Sequence, residues 1–258
     1  MVTYVFDGSM EGLLTAIFEY YEYKPGKVQL VWNKHYQPTM LGETHTIIND
    51  KAKAERVWNG LKKKMSADWL MKFYRAYLSE VPQTFQDLFD FARYIFDNPQ
   101  GAEKNFGNPH VMAISKMNRM VGRERHRFTA FIRFQETADR IFYAPAEPDF
   151  NVLPLIANFY KNRFADQKWV IYDIKRKYGL YYDLNTVQTI SFEFIQNIDT
   201  SKKRLSNDLV SNSEELTSLL WKDYFNSTNI PARKNMKLHI QYLPKRYWKY
   251  LNEKDYKN

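Results

Sequence analysis

The sequence predicts an α+β protein, with a mainly helical N-terminal half, a central antiparallel sheet and a helical, basic C-terminal segment. Three patterns support this prediction. Apolar and polar residues alternate from Arg127 to Gln135, which is typical of a strand with one buried face. Apolar residues recur at helical spacing from Val152 to Tyr160, and short aromatic runs follow from Trp169 onwards. We therefore expect a hairpin, a crossover helix and a meander of strands.

The N-terminal half combines short strands with capped helices. Ser9 follows the first strand and is a favourable N-cap, and Asn49 or Asp50 can cap a later helix. Two prolines and two glycines between Asp97 and Pro109 indicate a loop. The predicted strands are Thr3–Phe6, Val28–Trp32 and Thr44–Ile48. Further helices are predicted after caps at Ser66 and Thr84, and another at Val111–Val121.

The Asp7-Gly8-Ser9 turn has two interpretations. A strand that enters a glycine turn and then a helix N-terminus can hold a phosphate, because backbone N–H groups there are free. Helix capping alone also accounts for these three residues and is the commoner explanation. The chain contains neither GxGxxG nor GxxxxGK[ST], so these nucleotide-binding loops have no support.

The rest of the chain divides by composition. We expect a mainly helical part at 1–122, a sheet core at 123–198 and a basic helical segment at 199–258, packed together as one compact unit. The central elements are strands at 128–134, Ile141–Ala146, Trp169–Asp173, Tyr178–Asp183 and Val187–Phe194, with a helix capped by Asp149 or Asn151 after the second strand. Ser213 and Pro244 are predicted to open two C-terminal helices.

Composition excludes several kinds of chemistry. The 258-residue chain has no cysteine, so it cannot form disulfides, thiolate nucleophiles, cysteine-bound zinc or cysteine-bound iron–sulfur clusters. The five histidines are scattered without metal-binding spacing, and we expect no metal and no cofactor. No run approaches the ~18 apolar residues of a membrane span, and a secretory signal pattern is absent at the start. A cytoplasmic location without membrane contact is the expectation.

Positive charge is concentrated in two places. The formal net charge is +9, and residues 231–258 contain eight lysines and arginines against two acidic residues. A second cluster lies between Lys116 and Arg127 and contains one acidic residue, Glu124. Concentrated positive charge suits a polyanion, because each neutralised phosphate releases counterions. A solvated surface is the alternative explanation.

Nucleic acid is therefore the predicted partner. The C-terminal block interleaves bases with Tyr242, Tyr247 and Trp248, a pattern that suits single-stranded nucleic acid but that also fits a stripe packed on the domain. Arginines in the sheet region can contact phosphate, or can form ion pairs and helix-end contacts. The candidate nucleic-acid-binding residues are Arg123, Arg125, Arg127, Arg133, Arg163, Arg176, Arg233, Lys234, Arg246 and Trp248.

A catalytic role has weaker support, and the sequence leaves open whether the protein is an enzyme. The candidates are Glu136, Asp149, Asp173 and Lys175. Two carboxylates could hold Mg²⁺ beside a phosphate while a lysine acts on water, as in a metal-dependent nuclease. The predicted helix start at Asp149 argues against its carboxylate reaching Asp173 on a strand. Ion pairs are the alternative: Arg133 with Glu136, and Asp173 with Arg176.

Four stretches together resemble one family. They are YVFDGSMEGLLTAIFEYYE, ERHRFTAFIRFQE, VLPLIANFYKNRFADQKWVIYDIKRKYGLYYD and LWKDYFNSTNIPARKNMKLHIQYLPKRYWKYLNE, and they occur in this order between Tyr4 and Glu253. The chain is similar in these blocks to the DUF4130 family. It departs from the family pattern at Ala130, where a glycine is frequent, and at Asn158, where a histidine is frequent, so no histidine-based scheme at that helix applies here.

The resemblance implies a process rather than a reaction. The family is linked to DNA metabolism and DNA repair, and its genes typically neighbour one for a radical-SAM DNA-modification protein. In some bacteria the domain is fused to a uracil-DNA glycosylase-type domain. The resemblance thus implies an accessory protein that binds nucleic acid and works with such a partner. A DNA-processing enzyme, nuclease-like or acting on damaged bases, is the alternative, and a scaffold that contacts only protein is a third possibility.

Overall fold

The structure is a computed structural model that describes residues 1–38, 42–137, 140–191, 198–199, 204–205 and 244–251. The chain divides into two compact units, Met1–Arg123 and Glu124–Asn258. Both helices and strands are present, so the α+β class is confirmed. Except for Asp199, Arg204 and Leu205, residues 199–211 lie outside the described residues, as does the helix expected at Ser213. Within the described ranges, no helix has the length and apolar character needed to cross a bilayer.

The first unit contains a three-stranded parallel sheet in the order β2-β1-β3. The sequence predicted these strands but not their pairing. Helices α1 and α2 begin at side-chain caps: Ser9 Oγ accepts the Gly12 N–H at 2.9 Å, and Asp50 Oδ1 accepts the Lys53 N–H at 3.0 Å. The elements are β1 Val2–Phe6, α1 Met10–Tyr23, β2 Val28–Trp32, β3 Glu43–Thr46, α2 Lys51–Lys64, α3 Ala67–Tyr77 and α4 Pro82–Asp97.

One apolar core holds this unit together. It draws on the sheet and on the first four helices, and many of its largest side chains are aromatic. The predicted cap at Thr84 is wrong, because α4 begins two residues earlier at Pro82, whose missing N–H costs nothing at the first helical position. Thr84 is buried instead. The most deeply buried large side chains include Tyr4, Phe6, Phe73, Phe85, Phe89 and Phe91.

Helix α5, Pro109–Phe131, corrects the prediction of a strand at 128–134. Buried positions on this helix fall at Val121, Glu124 and Phe128, which is helical spacing, whereas Ala130 is exposed. No proline interrupts the segment, so a helix that has already formed extends at one hydrogen bond per residue. The alternation of Phe128, Ala130 and Ile132 fits either a short strand or the end of a helix. The length of the continuous helix that precedes it favours the helix.

The second unit contains a five-stranded sheet in the order β4-β5-β6-β7-β8. The meander is antiparallel as predicted. The hairpin is also antiparallel, but its first strand is Gln135–Glu136 rather than the predicted 128–134. Because β5 and β6 pair in parallel, the sheet is mixed rather than antiparallel. The physical reason is the crossover helix α6, which returns the chain to the end of the sheet from which β5 started. The elements are β4 Gln135–Glu136, β5 Phe142–Ala146, α6 Leu153–Arg163, β6 Trp169–Asp173, β7 Tyr178–Tyr182 and β8 Val187–Ile190, with a separate pair of β9 Ile198–Asp199 and β10 Arg204–Leu205.

An aromatic cluster joins α6 to this sheet. Trp169 is fully buried and stacks on Tyr182 with ring centroids 5.5 Å apart. Tyr160 of α6 packs edge-on against Trp169, and its hydroxyl donates to the Phe128 carbonyl at 2.7 Å. The cluster lies at the amino end of β6, where Trp169 pairs with Phe142 of β5 and with Tyr182 of β7.

Candidate nucleic-acid interface

Helix α5 presents a row of exposed cations. Lys116, Arg119 and Arg123 stand three and four residues apart, which places them on one face of the helix, and all three are exposed. No acidic residue occupies the positions three or four away from them. Within the described part of the chain, none of the three forms a hydrogen bond or an ion pair. We call these three residues the α5 cation row.

The length of the α5 cation row suits a phosphate backbone. Seven residues of α-helix rise about 10 Å, a distance over which duplex DNA carries about six phosphates. The opposite face of the helix buries Val111, Ile114 and Val121, so packing fixes which side chains face solvent. The sequence pattern indicated this basic cluster, but its last residues were predicted to lead into a strand. The missed signal is the helical spacing that continues from Lys116 through Arg123.

Two of the other predicted arginines of this region, Arg127 and Arg133, have structural contacts. Arg127 lies 3.8 Å from Glu124, and Arg133 donates through Nη1 to the Ala130 carbonyl at 2.8 Å, which satisfies a carbonyl at the end of α5. Arg125 is half-buried, and Arg163 is exposed at the end of α6. These positions do not form one row with each other.

The loop between β5 and α6 brings together several of the predicted residues. Asp173 is fully buried and accepts from Arg176 twice, from the backbone N–H at 3.0 Å and from Nη1 at 2.8 Å. The same guanidinium donates to the carbonyls of Pro148 and Asp149, both at 3.0 Å. Lys175 Nζ reaches the Asp149 carbonyl at 3.5 Å. The sequence argued only against the Asp149 carboxylate reaching Asp173, and the contacts described here are with the Asp149 backbone carbonyl.

The arrangement at this loop favours an ion pair over a metal site. Both oxygens of Asp173 already accept from Arg176, and Arg176 contacts the backbone of Asp149 rather than its carboxylate. Burial raises the pKa of Asp173 and outweighs the neighbouring Arg176, which lowers the pKa. Glu136 lies on β4, at the edge of the sheet. In the described ranges there is no group of three or more metal-ligating side chains.

A second buried carboxylate, Glu124 of α5, holds the same loop from another side. Its Oε1 accepts the Asp149 N–H at 3.0 Å, and its Oε2 accepts the Tyr247 hydroxyl at 2.6 Å. Tyr247 belongs to a 3₁₀ helix, Lys245–Tyr250, and its ring packs on Phe128 and Phe131. Tyr247 is therefore a packing residue of the second unit. Trp248 is half-buried, while Arg233, Lys234 and the side chain of Arg246 lie outside the described residues.

Tyr247→Phe is expected to lower the free energy of unfolding by about 1.5–3 kcal/mol, the worth of a hydrogen bond to a charged group. The ring contacts remain, but a buried oxygen of Glu124 loses a donor. Urea unfolding measures the change. Tyr181→Phe is the control, because its hydroxyl forms no hydrogen bond with a described residue, and equal effects of the two changes would contradict the assignment.

The comparisons with known proteins give a family but no activity. A family model described as a domain of unknown function, DUF4130, matches residues 82–253, well over half of the chain. The match includes α5, the second sheet and the C-terminal block, and it begins after the Asp7-Gly8-Ser9 turn. No curated protein matches the chain.

Proposed function

The chain belongs to the DUF4130 family, and we propose that it is a nucleic-acid-binding accessory protein of DNA repair or DNA metabolism. The observation that carries the proposal is the α5 cation row, whose three charges are exposed and unpaired among the described residues. Binding a phosphate costs such cations little free energy, because no existing ion pair has to be broken. The net charge of +9 adds long-range attraction for a polyanion.

The row would position the nucleic acid without reading its sequence. Lysine and arginine contacts to phosphate fix register and supply affinity, whereas specificity needs contacts to base edges. The C-terminal block, with Arg233, Lys234 and Arg246, would extend the contact. We place this activity in the cytoplasm.

The proposed partner is a radical-SAM DNA-modification protein or a uracil-DNA glycosylase-type protein. The support is the family resemblance together with one chemical fact. A chain without cysteine cannot hold the cysteine-bound iron–sulfur cluster of a radical enzyme, so the redox chemistry would lie wholly in the partner.

Neutralising the α5 cation row is expected to weaken nucleic-acid binding about 100-fold at low salt, on the order of 1 kcal/mol for each lost phosphate contact. The variant is Lys116→Gln/Arg119→Gln/Arg123→Gln, measured by fluorescence anisotropy with labelled single- and double-stranded oligonucleotides. The control neutralises three scattered exposed lysines, Lys27, Lys63 and Lys104, and should bind nearly as well as the wild type. Equal losses in the two variants would assign the effect to net charge alone.

A DNA-processing enzyme is the second candidate, favoured by the contact of Lys175 Nζ with the Asp149 backbone carbonyl at 3.5 Å, which brings these two exposed residues together. In this scheme Asp149 would bind a metal or activate water, and Lys175 would stabilise the developing charge. Mg²⁺-dependent cleavage of an oligonucleotide that is lost in Asp149→Asn, with folding retained, would support it. No cleavage by the wild type would leave the accessory role.

A further inference from the structure

The first unit has a cavity of about 480 Å³ between α1, α2 and the end of α4. This volume lies within the range of about 300–1,000 Å³ that is typical of small-molecule sites. The cavity is in the first unit alone and shares no residue with the α5 cation row. Its lining consists of Phe18, Tyr21, Glu22, Arg56, Val57 and Phe96.

The aromatic wall of this cavity is held in place. The Tyr21 and Phe96 rings meet edge to face with centroids 5.9 Å apart, and the Tyr21 hydroxyl donates to Asp97 at 2.8 Å. Gly60 of α2 makes room for Phe96, since a Cβ at this position would lie 2.8 Å from the ring. Glycine inside a helix costs about 1 kcal/mol relative to alanine. Gly60 therefore lowers the stability of α2 slightly, but it leaves the space that the Phe96 ring occupies.

An exposed arginine, Arg56, places a positive charge at the mouth of the cavity. The Arg56 guanidinium lies 4.9 Å from the centre of the Phe18 ring, is exposed, and has no ion pair among the described residues. Among the lining residues that the structure describes, the acidic one is Glu22, which is paired with Lys53 at 2.8 Å. A ligand that meets Arg56 therefore meets a cation that no carboxylate neutralises.

We propose that this cavity binds a nucleotide, with the base against the aromatic wall and the phosphate on Arg56. Aromatic rings accept planar bases by stacking or edge contacts, and a guanidinium matches phosphate geometry with two parallel hydrogen bonds. An apolar ligand would leave Arg56 unused, and a cationic ligand would be repelled by it. The inference goes beyond the proposed function and does not rest on it. The nucleotide can be free or an unstacked residue of a single strand.

Titration calorimetry of the full chain with adenosine 5′-monophosphate and with adenosine tests the inference. The wild type is expected to bind the monophosphate saturably and adenosine about tenfold more weakly, since adenosine lacks the group that Arg56 contacts. Arg56→Gln should weaken monophosphate binding about tenfold and leave adenosine binding unchanged. No saturable binding of the monophosphate to the wild type would overturn the inference, as would equal losses for both ligands in Arg56→Gln.

Two further variants separate this site from the rest of the molecule. Gly60→Ala should weaken both ligands, because it displaces Phe96, whereas Lys63→Gln on the same helix should change neither. The variant without the α5 cation row should bind the monophosphate normally, so the two proposals can fail separately. Displacement of the monophosphate by the single strand dA8 would identify a strand residue as the ligand, and its failure to compete would identify a free nucleotide.

Discussion

Asp173→Ala is expected to lower the free energy of unfolding by about 3–5 kcal/mol, the cost of leaving a buried charge without its partner. Arg176, whose side chain is 10% exposed, would lose the Asp173 carboxylate and would stay bonded to the Pro148 and Asp149 carbonyls. The loop between β5 and α6 would keep these contacts, but the guanidinium that makes them would lose the carboxylate that orients it. Chemical denaturation monitored by tryptophan fluorescence measures the change.

Asp149→Ala is the matched control for this prediction. Its side chain is exposed, and the backbone groups that Glu124 and Arg176 contact remain in alanine. We expect a change of about 0.5 kcal/mol or less, as is usual for surface positions. An Asp173→Ala protein as stable as the wild type would contradict the structural role that these contacts assign to Asp173.

The pH dependence of this difference has a definite sign. Because burial raises the pKa of Asp173 above its usual value of 3.8, the folded protein takes up a proton there more readily than the unfolded chain does. The resulting stabilisation is fully present below 3.8 and is lost as pH rises through the folded pKa. The gap in stability between the wild type and Asp173→Ala should therefore widen on acidification.

Gly8→Ala is expected to lower the free energy of unfolding by about 2–4 kcal/mol, because backbone strain and a steric clash act together. Gly8 has a φ of +85°, and a Cβ there would lie 2.2 Å from Trp32 Nε1. Trp32 cannot simply move, since this nitrogen donates to the Asp7 carbonyl at 2.9 Å. Thermal unfolding followed by circular dichroism measures the effect.

Gly26→Ala separates the two causes. Gly26 has a similar φ of +78°, but no atom lies within 4 Å of the position that a Cβ would occupy there. It should therefore cost about 1 kcal/mol, from the backbone alone. Equal effects at Gly8 and Gly26 would show that the contact with Trp32 does not constrain the turn.

Local signals in the sequence predicted most of the individual elements. The capping residues Ser9 and Asp50 located two helices, and β2 and β6 have the predicted bounds. The segment from Phe128 to Phe131 failed, because apolar residues two apart can belong to a strand or to a helix end. This segment is helical because α5 continues into it from Pro109, and a local pattern of four residues does not contain that information.

Pairing between distant segments was harder to predict. The parallel sheet of the first unit joins strands separated by a helix or a long loop, and no local pattern encodes the register of Tyr4 with Leu30 and His45. The contacts around Asp173 were equally hard to predict from local sequence. Asp173, Arg176 and the Asp149 backbone meet because β5 and β6 are parallel and end together, a relation that follows from the crossover rather than from spacing.

The salt dependence of binding is the sharpest test of the nucleic-acid proposal. Affinity for a duplex oligonucleotide would be measured from about 50 to 200 mM salt for the wild type and for the variant without the α5 cation row. We predict that log K falls less steeply with log salt in the variant, by roughly 2.7 for three lost phosphate contacts on duplex DNA. Identical slopes would contradict the proposal, because the row would then contact no phosphate.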